Sequence, residues 1–146
     1  MSHYLLDTNL LVYLHDRSDP ARRRRAARVI EEVARRGTGA LPVQALTEFA
    51  AVALRKFEPP LPAQTVRHQI ERLRRRFPTH PVTYFAVEEA LRGVEEHQLS
   101  YFDAQIWAVA RLHQIPVVIS EDARGGSVDG VSWLNPFVDG FDAATL

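Results

Sequence analysis

Short apolar runs alternate along this chain with longer segments whose apolar residues recur at helical spacing, and this alternation limits the fold more than any other feature. Tyr4–Leu6, Thr38–Leu41 and Val117–Ser120 are brief apolar stretches beside acidic, Gly or Pro punctuation, and they read as strands. Val131–Leu134 reads as a last strand before Pro136, and Val82 as a short one between helices. Elsewhere the period changes. Ala26, Val29, Ile30 and Val33 recur every three or four residues, as do Leu46, Phe49, Ala50, Ala53 and Phe57. Asp19 before Pro20 supplies a cap and first turn, and Gly37 a stop, so one helix is expected over Pro20–Arg36. Gln64–Arg76 and Tyr84–His97 are expected as further helices, while Pro59, Pro60 and Pro62 make a loop and Gly125, Gly126 and Gly130 a turn. Strands that look buried, alternating with amphipathic helices, predict an α/β fold: a three-layer α/β/α sandwich around a central parallel sheet.

At 146 residues and 46% hydrophobic, the chain is expected to form one domain over residues 1–146. No window approaches the roughly 20 apolar residues of a membrane span, and Met1–Asp7 is too short and acidic for a signal peptide, so a soluble cytoplasmic protein is expected. With no cysteine, disulfides and thiolate zinc sites are excluded, and a bound metal must use oxygen or imidazole ligands. The histidines show no metal-binding pair at helical spacing and read as surface or packing residues. Trp107 and Trp133 read as packing. The 18 basic and 18 acidic side chains balance, so overall charge gives no argument for a polyanionic partner. Arginines do cluster, however, at Arg22, Arg23, Arg24 and Arg25 and again at Arg74, Arg75 and Arg76. Their planar forks suit phosphate and make them candidate nucleic-acid contacts, although solvated helix faces carry arginine as well.

In a parallel sheet with helical crossovers, strand C-termini and helix N-termini share one edge, where open α/β sheets bind their ligands. Four acids fall there: Asp7 after the first strand, Glu48 early in the helix after the second, Asp103 opening the helix before Val117, and Asp122 after the strand that begins at Val117. Each has an ordinary structural alternative. Asp7 suits a turn, Glu48 a solvated face, Asp122 a loop, and Ser100 with Asp103 has capping-box spacing. Their coincidence at one edge favours chemistry. Converging carboxylates repel unless a cation compensates, and magnesium or manganese prefers such hard oxygen ligands. A divalent ion acidifies water and neutralises an attacked phosphodiester, so phosphodiester hydrolysis is the chemistry that fits.

Tyr4-Leu5-Leu6-Asp7-Thr8-Asn9 resembles the opening of PIN domains, particularly bacterial toxins of the VapC type. Leu46-Thr47-Glu48-Phe49, Ser100-Tyr101-Phe102-Asp103-Ala104 and Ser120-Glu121-Asp122 resemble that family's later acidic motifs, in order, over nearly the whole chain. The resemblance implies a PIN-like fold and a ribonuclease in which Asp7, Glu48, Asp103 and Asp122 bind magnesium or manganese. It also implies that Thr8, Asn9 and Ser120 orient carboxylates or waters. Glu121 suits the fourth acidic position as well as Asp122, and the sequence leaves both open. VapC-type toxins further imply a homodimer, an RNA substrate and a cognate antitoxin.

Three other readings fit parts of this pattern. A phosphatase with a strand-end aspartate nucleophile needs a second acid where this chain has Asn9. A binding-only PIN protein has no use for repelling carboxylates beside phosphate. An RNA-processing nuclease outside any toxin pair differs only in its partner.

Overall fold

The computed structural model describes residues 1–146. Its elements run β1 (Tyr4–Leu6), α1 (Thr8–His15), α2 (Pro20–Arg36), β2 (Gly39–Pro42), α3 (Val43–Arg55), α4 (Ala63–Arg76), β3 (Thr79–His80), α5 (Tyr84–His97), α6 (Tyr101–Leu112), β4 (Val117–Ile119), β5 (Ser127–Val128) and β6 (Val131–Leu134). A 3₁₀ turn over Ala143–Thr145 follows. The six strands form one sheet in the order β3-β2-β1-β4-β6-β5. All neighbours are parallel except β5 with β6.

Strand side chains alternate between faces, and both faces here are apolar. Leu6, Leu41 and Ile119 enter one core with α1 to α4, whereas Leu5, Ala40 and Val118 enter the other with α5 and α6. The expected three layers follow from this two-sided burial. The faces differ in texture. The α1–α4 side is filled by long aliphatics and Phe49, while the α5–α6 side is built from alanines around the buried Trp107. There the helices approach closely, and a Cβ on Gly93 would lie 2.8 Å from the Trp107 ring. Trp107 is thus a core residue, as its spacing predicts.

Gly37 ends α2 in the left-handed conformation at φ 67°, the expected stop. The short strand expected at Val82 lies instead at Thr79–His80. Pro81 has no amide hydrogen to continue the ladder, so pairing ends before it and Val82 lies in the loop. α1 is an addition to the elements expected from sequence, capped by Asp7 immediately after β1. The antiparallel β5 arises at Asp129 and Gly130, whose φ values of 47° and 84° make a tight hairpin turn into β6. No helix is long and apolar enough to cross a membrane.

Candidate active site

After β1 the chain moves outward through β2 to β3, and β4 then pairs with the other side of β1. The strand order therefore reverses between β1 and β4, and the crevice beyond their C-terminal ends is where such sheets receive ligands. Asp7 and Ser120 are the first residues beyond those two ends.

Asp7 has extended backbone, and its Oδ1 accepts the Thr8 amide at 2.7 Å. Its Oδ2 accepts the Ser120 hydroxyl, also at 2.7 Å. The direction of this bond is forced. Asn9 Oδ1 accepts the Glu121 amide at 3.2 Å, which turns Asn9 Nδ2 onto Ser120 Oγ at 3.1 Å. The Asp122 amide also donates to that oxygen, at 3.1 Å. With both lone pairs taken, the serine proton has only Asp7 left. Two backbone amides thereby dictate that residue 7 be an acceptor. Burial nevertheless pushes the Asp7 carboxyl above its ordinary value, outweighing the bonds from Ser120 and Thr8, with the Glu48 and Asp103 charges adding to the rise.

Glu48 faces the same crevice from α3. Thr8 Oγ1 donates to its Oε2, and the buried Gln44, one turn earlier, donates to its Oε1 at 3.3 Å. Gln44 is in turn held by Gln105, which donates to it at 2.7 Å. Sequence reasoning missed this glutamine, although its i,i+4 relation to Glu48 was the available signal. Asp103 lies in the first turn of α6, where Ser100 Oγ donates to its Oδ2 at 2.7 Å. Ser100 makes no side-chain bond to the helix backbone, so the capping-box reading fails. The hydroxyl serves the carboxylate instead.

Asp7, Glu48, Asp103 and Asp122 all line one cleft of about 310 Å³, together with Thr8 and Asn9. Asp7, Asp103 and Asp122 also border a smaller recess with Ser120, Trp133 and Arg124. Glu121 points elsewhere. Its carboxylate accepts the Tyr13 hydroxyl at 2.6 Å and an Arg22 N–H, and the Arg22 guanidinium lies 5.1 Å and 5.2 Å from the centroids of Tyr13 and Phe137. Tyr13 is pushed up to about 12 by burial and by this bond to Glu121.

The arginine clusters divide in the same way. Arg22 is committed to Glu121, Arg25 to the carbonyls of Pro136 and Val138, and Arg76 to Glu31. Arg23, Arg24, Arg74 and Arg75 have no carboxylate partner, and none of the seven lines the acidic cleft.

The four cleft acids take part in none of the protein's ion pairs. Their donors are hydroxyls and amides, never a cation. No three acidic or histidine side chains stand in an arrangement that grips a metal directly. Magnesium, however, usually takes one or two carboxylates and keeps several waters, so a spread of acids around an open cleft suits it better than a closed cage. The donor set is hard oxygen throughout, and its excess charge is uncompensated. These residues fit a hydrated divalent ion.

The four acids thus wall one cleft at the switch point of an open α/β sheet. The chain belongs to the PIN domain family, whose model matches residues 4–131. No curated protein matches its sequence. Among solved structures it is similar to a DNA-bound VapBC complex from Salmonella typhimurium, with a TM-score of 0.66 and 15% identity over 93% of this chain and 99% of that one. A toxin-antitoxin complex from Klebsiella pneumoniae is similar at TM-score 0.62 and 23% identity, covering 92% and 98% of the two chains. VapC20 from Mycobacterium tuberculosis, described as a Sarcin-Ricin loop cleaving toxin, is similar at TM-score 0.62 and 20% identity, covering 82% and 91%.

Proposed function

We propose that this chain is a metal-dependent endoribonuclease, the cytoplasmic toxin of a toxin-antitoxin pair, working as a homodimer and silenced by a cognate antitoxin. The observation that carries the nuclease reading is the uncompensated set Asp7, Glu48, Asp103 and Asp122 on one cleft. The toxin reading is supported by the similar structures, one described as a toxin-antitoxin complex and another as a Sarcin-Ricin loop cleaving toxin.

The four acids would hold magnesium or manganese, directly or through water. Once bound, the ion supplies acidity to water and positive charge opposite the phosphodiester. Ser120 and Asn9 hold Asp7 in a fixed orientation as an acceptor, and Thr8 orients Glu48. In the hydrolysis one P–O bond breaks, a hydroxyl from water joins phosphorus, and the departing sugar oxygen takes up a proton. Carboxylates of the cleft not engaged with the ion are the proton acceptors within it.

Purified protein incubated with RNA should cleave it with magnesium or manganese and stop in excess EDTA. Undiminished cleavage under chelation would overturn the metal dependence. Expression without a partner should arrest growth, and co-expression of a cognate antitoxin should relieve the arrest; harmless expression of an active enzyme would overturn the toxin reading alone.

A further inference from the structure

The walls of the acidic cleft and its adjoining recess carry a single cation, Arg124. It stands two residues after Asp122 and shares the recess with Asp7 and Asp103, yet it pairs with none of them. Its guanidinium carbon lies 5.8 Å from the centroid of the Trp133 ring. A guanidinium stacked on a ring face keeps its N–H donors at its edge free. Other arginines over rings in this protein are spent differently. Arg22 gives its edge to Glu121, Arg111 to Glu89 and the Asp129 carbonyl, and Arg92 to Glu89, Glu96 and Asp129. Arg124 alone among them has no acceptor for its side chain.

Carboxylates not neutralised by the ion repel the phosphate to be cut, and a cation on the cleft wall offsets that repulsion and adds to the ion's own pull on the substrate. Arginine suits this task because its planar fork meets two phosphate oxygens at once. Resting on the nuclease reading above, we propose that Arg124 is the phosphate-binding residue of the cleft, taking the non-bridging oxygens of an RNA phosphate beside the four acids. The segment that carries it, Ala123–Gly126, lies between β4 and β5 outside regular structure, and Gly125 and Gly126 stand in open space. Nothing packed has to move for the guanidinium to leave Trp133.

The test compares wild type, Arg124→Ala and Arg124→Lys in the full chain. Binding of a fluorescent single-stranded RNA is followed by anisotropy over a salt series in EDTA, and cleavage is followed separately with magnesium and with manganese. Arg124→Ala should bind about tenfold more weakly, flatten the slope of log K against log salt by roughly 0.7, the share of one phosphate on a single strand, and lower the melting temperature by no more than about 2–4 °C through loss of the contact with Trp133. Arg124→Lys should recover the slope but only part of the cleavage rate, because its point charge cannot fork. An unaltered affinity and slope in Arg124→Ala would overturn the assignment, as would faster cleavage, which would make Arg124 a counter-ion of the acids. If wild type cuts no RNA with either metal, the nuclease reading itself falls and takes this assignment with it.

Discussion

The protein carries two groups of acids that are treated in opposite ways. At the α5–α6 flank, Glu89, Glu96 and Asp129 are met by Arg92, Arg111 and His97, with Arg92 touching all three acids. In the cleft, Asp7, Glu48, Asp103 and Asp122 meet no cation. Where charge is balanced within the chain it holds elements together; where it is left unbalanced, the site is open to a counter-charge from outside. The titrations have opposite signs as well. Bonds from Arg92 hold the Glu89 carboxyl below its ordinary value, whereas burial holds Asp7 above it.

The sharpest break of this contrast is Asp7→Asn, which removes charge from the unbalanced group. RNA cleavage should fall by more than about 100-fold, beyond what loss of an outer partner of a metal site costs. Stability should move the other way. Because the folded pKa of Asp7 is raised, its favourable contribution exists below the ordinary carboxylate value and is lost as pH rises through the raised one. At pH 7 the variant should melt about 2–4 °C higher in metal-free buffer, for roughly 1 kcal/mol regained. Part of the gain is offset because the new amide meets a Ser120 oxygen whose lone pairs are occupied. The advantage should shrink toward about pH 4, the ordinary carboxylate range. A calorimetric series showing Asp7→Asn less stable at neutral pH would make Asp7 a structural cap.

One step out from the acids, Ser120→Ala removes the proton aimed at Asp7 and frees Asn9 and the Asp122 amide. Cleavage or metal affinity should drop about 10–100-fold, with the ion still bound. A loss no greater than about twofold would show that Asp7 is oriented by its own helix cap. How far this network can be read from sequence is uneven. The two-sided burial of Leu5–Leu6, Ala40–Leu41 and Val118–Ile119 is visible because both faces of a parallel sheet are apolar. The edge shared by the acids follows from that topology. The polarity of the Asn9–Ser120–Asp7 chain is not visible, since it depends on two backbone amides meeting in space. Nor is the fate of Glu121, which rests on Tyr13, Arg22 and Phe137 from separate segments. The structure separates it from Asp122 by direction alone.

On the balanced side, Arg92→Ala should leave cleavage unchanged and lower stability by about 1 kcal/mol, a modest figure because the pairs are partly exposed. Here the sign reverses. Glu89 is held below its ordinary pKa, so its contribution is present above that value and lost as pH falls through the lowered one. The deficit should therefore be complete at pH 7 and fade in acid, the mirror image of Asp7→Asn. A deficit independent of pH would assign the loss to the arginine's packing over Trp107, 5.3 Å from the ring centroid, instead of its charge.

The smallest effect on chemistry is expected at Glu121, which belongs with the balanced acids although it adjoins the cleft. Its carboxylate is occupied by Tyr13 and Arg22, so replacement by Gln removes no charge that faces the substrate. The Gln oxygen can still accept the Tyr13 hydroxyl, while its amide confronts the Arg22 donors and loosens that contact. Asp122 keeps its own amide on Ser120, so the cleft should hold its shape. Cleavage by Glu121→Gln should stay within about threefold of wild type, an effect below about 1 kcal/mol, whereas Asp122→Asn should share the large loss of the other cleft acids. The Tyr13 hydroxyl reports the change independently. It stands at about 12 through burial and through Glu121, and without that anion it should titrate at lower pH, visible in the ultraviolet absorbance of tyrosinate. If Glu121→Gln abolishes cleavage while Asp122→Asn is tolerated, the roles of these neighbours are exchanged. The fourth acid of the cleft would then be the one that the resting structure ties to Arg22.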